Sequence, residues 1–221
     1  MSGNEAFDGQ SLAPQETVRE LLIEQTEDRK DDLRSRYRSA RKARSDKDAD
    51  LAARALAERA MEVAREDALE PGDCVACYVS RTHEPGTGLM LDSLREAGFE
   101  VLVPVLGPGL DRGWARYSGP DCLQQRAPGR PLEPSGDALP AQELARARLL
   151  IVPALAVDPE GYRLGQGGGW YDRALLHADP GADVMAVVFD EEVSTEPVPR
   201  LDHDVRVGGV ITPSGWWRIT A

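Results

Sequence analysis

Long hydrophobic runs are missing from this chain. Across its 221 residues no apolar stretch approaches the roughly 20 residues that a membrane span needs. The polar opening, Met-Ser-Gly-Asn-Glu, also lacks the charged-then-apolar layout of a secretory leader, so a cytoplasmic protein is expected. Histidine is scarce: three residues, with no His-x-x-x-His pair, make a poor zinc ligand set. Cysteine is equally sparse. Cys74, Cys77 and Cys122 are an odd count without disulfide-framework spacing, which suits a reducing compartment. Cys74-Val-Ala-Cys77 has the spacing of a redox or zinc pair, but no second pair accompanies it. It lies in an apolar run that continues through Tyr78 and Val79, which predicts buried strand thiols. Positive charge is outnumbered as well: 26 Lys and Arg against 38 Asp and Glu give a formal charge of −12. Such a balance argues against nucleic acid as the main partner, because a phosphate backbone needs a basic surface. An anionic ligand here has to be met by local cations.

What the chain does have is an unusual concentration of glycine between residues 149 and 177. Residues 149–152 form a short apolar run closed by Pro153, the pattern of a buried parallel strand. Asp158-Pro159-Glu160-Gly161 then reads as a turn, with Pro159 presetting its dihedral and Asp158 able to bond its own backbone. Gly165, Gly167, Gly168 and Gly169 follow, four residues without a Cβ in five positions. Each costs backbone entropy that an ordinary connector avoids, so a close approach to that backbone is expected. Residues 170–177 look like the first turns of a helix, which would aim N–H groups at an anion, most simply phosphate. The loop is not a Walker A motif, since no Gly-Lys-Ser/Thr follows, and Trp170 stands where a dinucleotide fingerprint has its third glycine. A flexible surface loop is the alternative, because glycine clusters are ordinary loop punctuation.

Taken in order, residues 1–14 have little apolar pattern and are expected to be a disordered extension, leaving one α/β domain over 15–221. Val18, Leu21 and Leu22 can start a helix. Residues 27–44 read as a helix with Leu33, Tyr37 and Ala40 on one stripe and Lys30, Arg34, Arg38 and Arg41 on a neighbouring face. On composition that cationic row is a solvated face. Ser45 and Asp46 are good caps for a second helix through Leu51, Ala55, Leu56, Met61 and Val63, ended by Pro71-Gly72. A strand at 73–80, a helix carrying Leu89, Leu91 and Leu94 and closing at Gly98, and a strand at 99–105 form a βαβ unit. This prescribes a parallel sheet with ligands at the carboxyl ends of its strands. Residues 107–140, rich in Gly and Pro, read as an insertion over the site, with Trp114, Tyr117 and Leu132-Glu133-Pro134 as anchors. Further strands are expected at 183–189 and 205–212.

The segment Asp158-Pro-Glu-Gly-Tyr-Arg163-Leu-Gly165-Gln-Gly167-Gly-Gly169-Trp-Tyr171-Asp172-Arg173 resembles the signature of the 5-formyltetrahydrofolate cyclo-ligase family, also called 5,10-methenyltetrahydrofolate synthetases. The likeness extends over roughly residues 30–212. It includes Lys30-x-x-x-Arg34 on the first helix, the loop at Glu84 and Val198-Pro199 followed by His203-Asp204. It touches Leu132-Glu133-Pro134, whose counterpart lines the pocket in relatives. The resemblance implies a three-layer α/β sandwich with a mostly parallel, Rossmann-like sheet, similar to ribose-5-phosphate isomerase and CoA-transferase folds. It implies an enzyme that converts 5-formyltetrahydrofolate and ATP to 5,10-methenyltetrahydrofolate, ADP and phosphate; a monomer is expected, and the charge and short apolar runs argue against a nucleic-acid or membrane partner. Lys30, Arg34, Arg163 and the stretch Leu164, Gly165, Gln166, Gly167, Gly168, Gly169, Trp170 and Tyr171 would bind ATP. Glu84, Trp170 and Tyr171 would face the folate, and Asp172 and Asp204 would hold Mg²⁺. Arg163, Tyr171 and Asp172 would be the catalytic residues. Relatives often carry Lys or Arg at one of the positions of Gln166 and Gly168, Trp170 stands where they often carry Tyr or Phe, and Gly86 where some carry the acid before the threonine. The rival is a non-catalytic sugar-phosphate sensor of the same fold, which explains the glycine loop. It does not explain Lys30 and Arg34 or the pair Asp172 and Asp204, and no helix-turn-helix accompanies it.

Overall fold

The computed structural model describes residues 13–107, 112–126 and 131–220. Its first helix, α1 (Ala13–Ala43), is one continuous element rather than the two segments expected. Residues 1–12 of the expected extension lie outside the described residues, and Ala13 and Pro14 are already helical. Helix α2 (Asp46–Glu66) follows, with Ser45 as its N-cap accepting a hydrogen bond from the Asp48 N–H. This is the cap that its sequence prescribes.

The strands are β1 (Cys74–Cys77), β2 (Glu100–Leu106) beyond helix α3 (Gly88–Glu96), β3 (Arg112–Arg116), β4 (Leu123–Gln124), β5 (Glu133–Pro134), β6 (Leu139–Pro140), β7 (Ala147–Pro153), β8 (Ala156–Val157), β9 (Arg163–Leu164), β10 (Asp183–Val187), β11 (Gly209–Thr212) and β12 (Gly215–Arg218). Eight of them form one sheet in the order β12-β11-β10-β7-β1-β2-β3-β6. Its five central strands are parallel; β12 pairs antiparallel with β11 on one side, and on the other β3 pairs antiparallel with β2 and β6 with β3. Strands β3 and β6 come from the stretch expected to be an insertion, so part of that stretch completes the sheet. Antiparallel β12 was not anticipated either; Pro213 and Ser214 turn the chain back beside β11.

Both faces of the parallel strands are buried, and alternate residues enter different cores. Val75, Cys77, Leu149, Ile151, Met185 and Val187 pack with Leu56, Leu91 and Leu94 of α2 and α3. Cys74, Ala76, Leu150, Val152, Ala186 and Val188 pack on the other face with Leu144, Ala174 and Leu175. The apolar runs are continuous because neither face meets water. Cys74 and Cys77 are free, buried thiols. Burial pushes Cys74 up to about 11 and raises Cys77 as well. Both are therefore protonated and inert at neutral pH.

In chain order the parallel strands are β1, β2, β7, β10 and β11, and in space they run β2-β1-β7-β10-β11. The order reverses between β1 and β7. In open α/β sheets the crevice at the carboxyl ends of the strands flanking such a reversal is where ligands bind.

Candidate active site

The segments that leave β1 and β7 meet at that crevice. A cavity of about 280 Å³ lies there, lined by Tyr78, Arg81, Glu84, Glu133, Pro153, Ala154, Arg163 and much of the glycine loop through Arg173. Arg81, Glu84, Pro131 and Gln166 are shared with a wider opening of about 720 Å³ that Arg38, Lys42 and His83 also line.

The loop between β7 and the glycines is built around Asp158, which is buried. Its Oδ1 accepts the N–H groups of Glu160 and Tyr162, both at 2.9 Å, and its Oδ2 that of Val198 at 2.9 Å. Gly161 sits at φ +88°, and a Cβ there would stand 2.7 Å from the Val207 carbonyl. The turn therefore ties itself to the chain before β11, and both must be in place for the site to form.

Of the clustered glycines, Gly167 and Gly169 have positive φ, at +99° and +56°. Gly167 packs on the Arg34 guanidinium, while a Cβ on Gly169 would meet Arg173 Nη1 at 2.9 Å. Gly165 and Gly168 are different: nothing stands within 4 Å of where their Cβ would be, and both line the cavity. Their bare backbone is open to an incoming group, as expected for a close approach. The helix expected over 170–177 is shorter than its pattern suggested. Helix α4 (Trp170–Ala174) gives way to a 3-10 turn at Leu175–His177. Pro180 disfavours helical geometry only at Asp179, so the earlier change at Leu175 depends on packing, Ala174 and Leu175 being buried in the core on that face of the sheet. Five residues carry little dipole, so charge neutralisation here falls to side chains.

Those side chains come in pairs. Arg163 donates from Nη2 to Asp172 Oδ1 at 2.7 Å and from Nη1 to the Val205 carbonyl at 2.5 Å. Asp172 Oδ1 also accepts the Val205 N–H at 3.3 Å, so it lies against the residue next to Asp204. Lys30 donates to Asp204 Oδ2 at 2.6 Å, and the Leu201 N–H donates to the same oxygen at 2.7 Å. Asp172 Oδ2 and Asp204 Oδ1 make no hydrogen bond to the described residues, His203 Nε2 standing 3.9 Å from the latter. Arg34 Nε donates to the Gly165 carbonyl at 3.1 Å, and its Nη1 to Asp31 Oδ1 at 2.7 Å. Lys30 and Arg34 are only 5% and 7% exposed. The solvated-face reading of this row therefore fails for them; α1 lies against the glycine loop, and Leu33 and Tyr37 pack on Leu155, Ala156, Leu164 and Val198. Ala40, expected on the same stripe, is exposed.

Arg163, Gly165, Gln166, Gly168, Gly169, Trp170, Tyr171, Asp172 and Glu84 line one cavity. Lys30, Arg34, Gly167 and Asp204 stand beside it without lining it, and Leu164 is turned into a core cluster. Trp170 stacks edge-on between Trp114 and Tyr171, with centroids 5.4 and 4.8 Å away. The Tyr171 hydroxyl and the Trp170 indole N–H are buried with no hydrogen-bond partner. Burial holds the Tyr171 phenol well above its ordinary pKa, so it is a neutral hydrogen-bonding group. Glu84 accepts the Arg81 N–H at 2.8 Å and the Gln166 side-chain amide at 3.2 Å. Trp114 as the support of Trp170 was missed by sequence reasoning, because nothing local links two tryptophans so far apart.

A family model described as the 5-formyltetrahydrofolate cyclo-ligase family matches residues 26–213. The chain belongs to the 5-formyltetrahydrofolate cyclo-ligase family. It is 43% identical over 147 residues to a 5-formyltetrahydrofolate cyclo-ligase of Mycolicibacterium smegmatis, covering 64% of this chain and 74% of that one. A relative of the same name from Escherichia coli is 30% identical over 145 residues, covering 65% and 79%. Among solved structures, the 5,10-methenyltetrahydrofolate synthetase of Aquifex aeolicus superposes with a TM-score of 0.69 at 25% identity, covering 87% of this chain and 93% of that one. The one from Mycoplasma pneumoniae gives 0.62 at 14% identity and shows the shared fold. The protein is thus an enzyme of this family, which sets aside the sensor reading, and its fold is the expected α/β sandwich with a mostly parallel central sheet.

Proposed function

We propose that this cyclo-ligase closes the ring of 5-formyltetrahydrofolate by phosphorylating the formyl oxygen with ATP, releasing ADP and then phosphate. A formamide oxygen is a poor leaving group, so direct attack by N10 stalls. Attack of the formyl oxygen on the γ-phosphorus, in line with the departing ADP, converts that oxygen to a phosphate ester. N10 then adds to the formyl carbon and loses its proton, the carbon–oxygen bond breaks with its electrons leaving on phosphate, and 5,10-methenyltetrahydrofolate remains. Most of the rate comes from alignment and charge neutralisation.

The observation that carries this reading is the pairing of Lys30 with Asp204 and of Arg163 with Asp172 beside the open Gly165 and Gly168 backbone. Each carboxylate keeps an oxygen without a hydrogen bond among the described residues. Two carboxylates suit Mg²⁺, a hard ion that takes one or two carboxylates together with phosphate oxygens and water. Magnesium bound there would neutralise charge on the triphosphate. Lys30, Arg34 and Arg163 turn to the phosphates as their carboxylates are engaged, and the glycine backbone accommodates the phosphate chain. Tyr171 and Trp170 wall the folate side, where exclusion of water protects the phosphorylated intermediate from hydrolysis.

Substrate carrying ¹⁸O in its formyl group tests the reading. With ATP and Mg²⁺ the label is expected in inorganic phosphate, with one ADP formed per methenyl product. Label-free phosphate, or product formed without ATP, overturns it.

A further inference from the structure

Glu84 is the carboxylate that the sequence offers for the folate, but Glu133 is the one that the structure leaves waiting for a ligand. Glu133 lies in β5, is 1% exposed and lines the 280 Å³ cavity with Trp170 and Tyr171. Neither of its carboxylate oxygens accepts a hydrogen bond among the described residues. Arg126 comes within 3.8 Å of Oε2 through Nε, beyond hydrogen-bond length, and spends its Nη2 on the Pro134 carbonyl at 2.6 Å. Buried polar groups are nearly always hydrogen-bonded, and a buried carboxylate without donors is strongly disfavoured. A ligand that brings donors relieves that cost. Glu84, by contrast, already holds two donors.

Two adjacent carboxylate oxygens best accept two parallel N–H groups, as they do from a guanidinium. A pterin ring presents such a fork, its 2-amino N–H beside its N3–H. We propose that Glu133 receives this edge of the folate and so selects a 2-aminopterin over a 2-oxo ring. The inference rests on the folate head occupying this cavity. The unpartnered Tyr171 hydroxyl and Trp170 N–H then serve the ring's acceptors. Glu133 touches no reacting atom; it fixes the register of the ring, and with it the placement of the N5 formyl group.

Binding is measured by calorimetry on the full chain without ATP, using tetrahydropterin and tetrahydrolumazine, which carries a 2-oxo group in place of the 2-amino group. A hydrogen bond to a charged group is worth about 1.5–3 kcal/mol, so the wild type is expected to favour the pterin by about tenfold or more. Glu133→Gln, whose amide has one acceptor and one donor face, is expected to bring the two affinities within about threefold, while Glu84→Gln leaves the preference intact. Equal affinities in the wild type overturn the inference, as does an unchanged ratio in folded Glu133→Gln or its collapse in Glu84→Gln. Should Glu133→Gln fail to fold, the wild-type ratio and Glu84→Gln decide. Binding of neither head overturns the inference together with the placement of the folate. A failure of the phosphorylation chemistry shows only in the labelling experiment.

Discussion

The two ends of one cationic row on α1 carry the same chemistry and do different things. At the far end, Arg41 is as buried as Lys30 and is held by protein through Nε and Nη2. It donates to both oxygens of Glu192, at 2.6 and 2.8 Å, and to the Ala154 carbonyl at 2.5 Å. Glu192 Oε2 also accepts the Phe189 N–H, so both oxygens of the partner carboxylate are engaged. At the near end, Lys30 meets Asp204 and Arg34 meets the Gly165 carbonyl, beside carboxylates with oxygens to spare and glycines with open backbone. Burial of a cation therefore does not mark a site; a partner carboxylate with an oxygen to spare does. The Arg41 pair fastens α1 to the loop after β10, and that fastening holds Lys30 and Arg34 against the glycine loop.

Breaking the Arg41 end is the harshest test. Arg41→Ala leaves Glu192 buried without its partner and is expected to cost about 3–5 kcal/mol of stability, read as a loss of thermal midpoint, with turnover per folded molecule little changed. The double variant Arg41→Met, Glu192→Leu is expected to recover most of that loss, because well-packed apolar groups often replace a buried ion pair at little cost.

The open end is expected to answer in the opposite way. Asp172→Asn keeps the size and the acceptor for Arg163 while removing the charge a hard cation needs. Its kcat should fall by about two orders of magnitude or more, since the metal's charge stabilisation is worth several kcal/mol, with a thermal midpoint near that of the wild type. Turnover close to wild type would remove Asp172 from the metal site. A smaller effect is expected from Arg34→Ala. A phosphate contact of about 1.5–3 kcal/mol predicts a KM for ATP raised by roughly 10- to 150-fold, with the KM for folate spared. Glu27 and Asp31, its other partners, are exposed enough to be left hydrated. An unchanged ATP KM would make Arg34 a mere support of Gly167.

A third setting, at the amino ends of the strands and open to solvent, should give the least. The hydrogen bonds from Arg146 hold the Glu100 carboxyl below its usual range, with Arg116 adding to the effect. A depressed folded pKa contributes stability above the unfolded value, about 4.3 for Glu, and loses it as pH falls through the folded one. Glu100→Gln is thus expected to lower stability at pH 7 by about 1 kcal/mol or less, and to match the wild type once Glu100 is protonated. A gap that persists in acid would assign the loss to packing.

Much of this site was legible because its determinants are local. The Asp158 turn, the clustered glycines and Tyr171-Asp172-Arg173 lie within sixteen residues, where backbone geometry and adjacency do the work. Asp204 was reached through the family likeness of its Val-Pro and His-Asp segment. The end of α4 was misjudged because the pull of Pro180 reaches only the residue before it, and the shortening ahead of that point depends on packing. Strands β3, β6 and β12 were missed because edge strands are short and take their identity from a neighbour that no local pattern names.

By itself the sequence determined the parallel core and the bare loop, since continuous apolar runs suit only a sheet covered on both faces and positive φ at Gly167 and Gly169 suits glycine. Tertiary structure decided which charges are finished and which are open. Lys30, Arg34 and Arg41 are alike on a helical wheel, and Glu84 and Glu133 are alike as acids. Their difference lies in the residues that the fold brings within hydrogen-bond reach from more than a hundred positions away, or in the case of Glu133 does not bring. Because a hydrogen bond needs donor and acceptor about 3 Å apart and well aligned, that distinction exists only once the chain is folded.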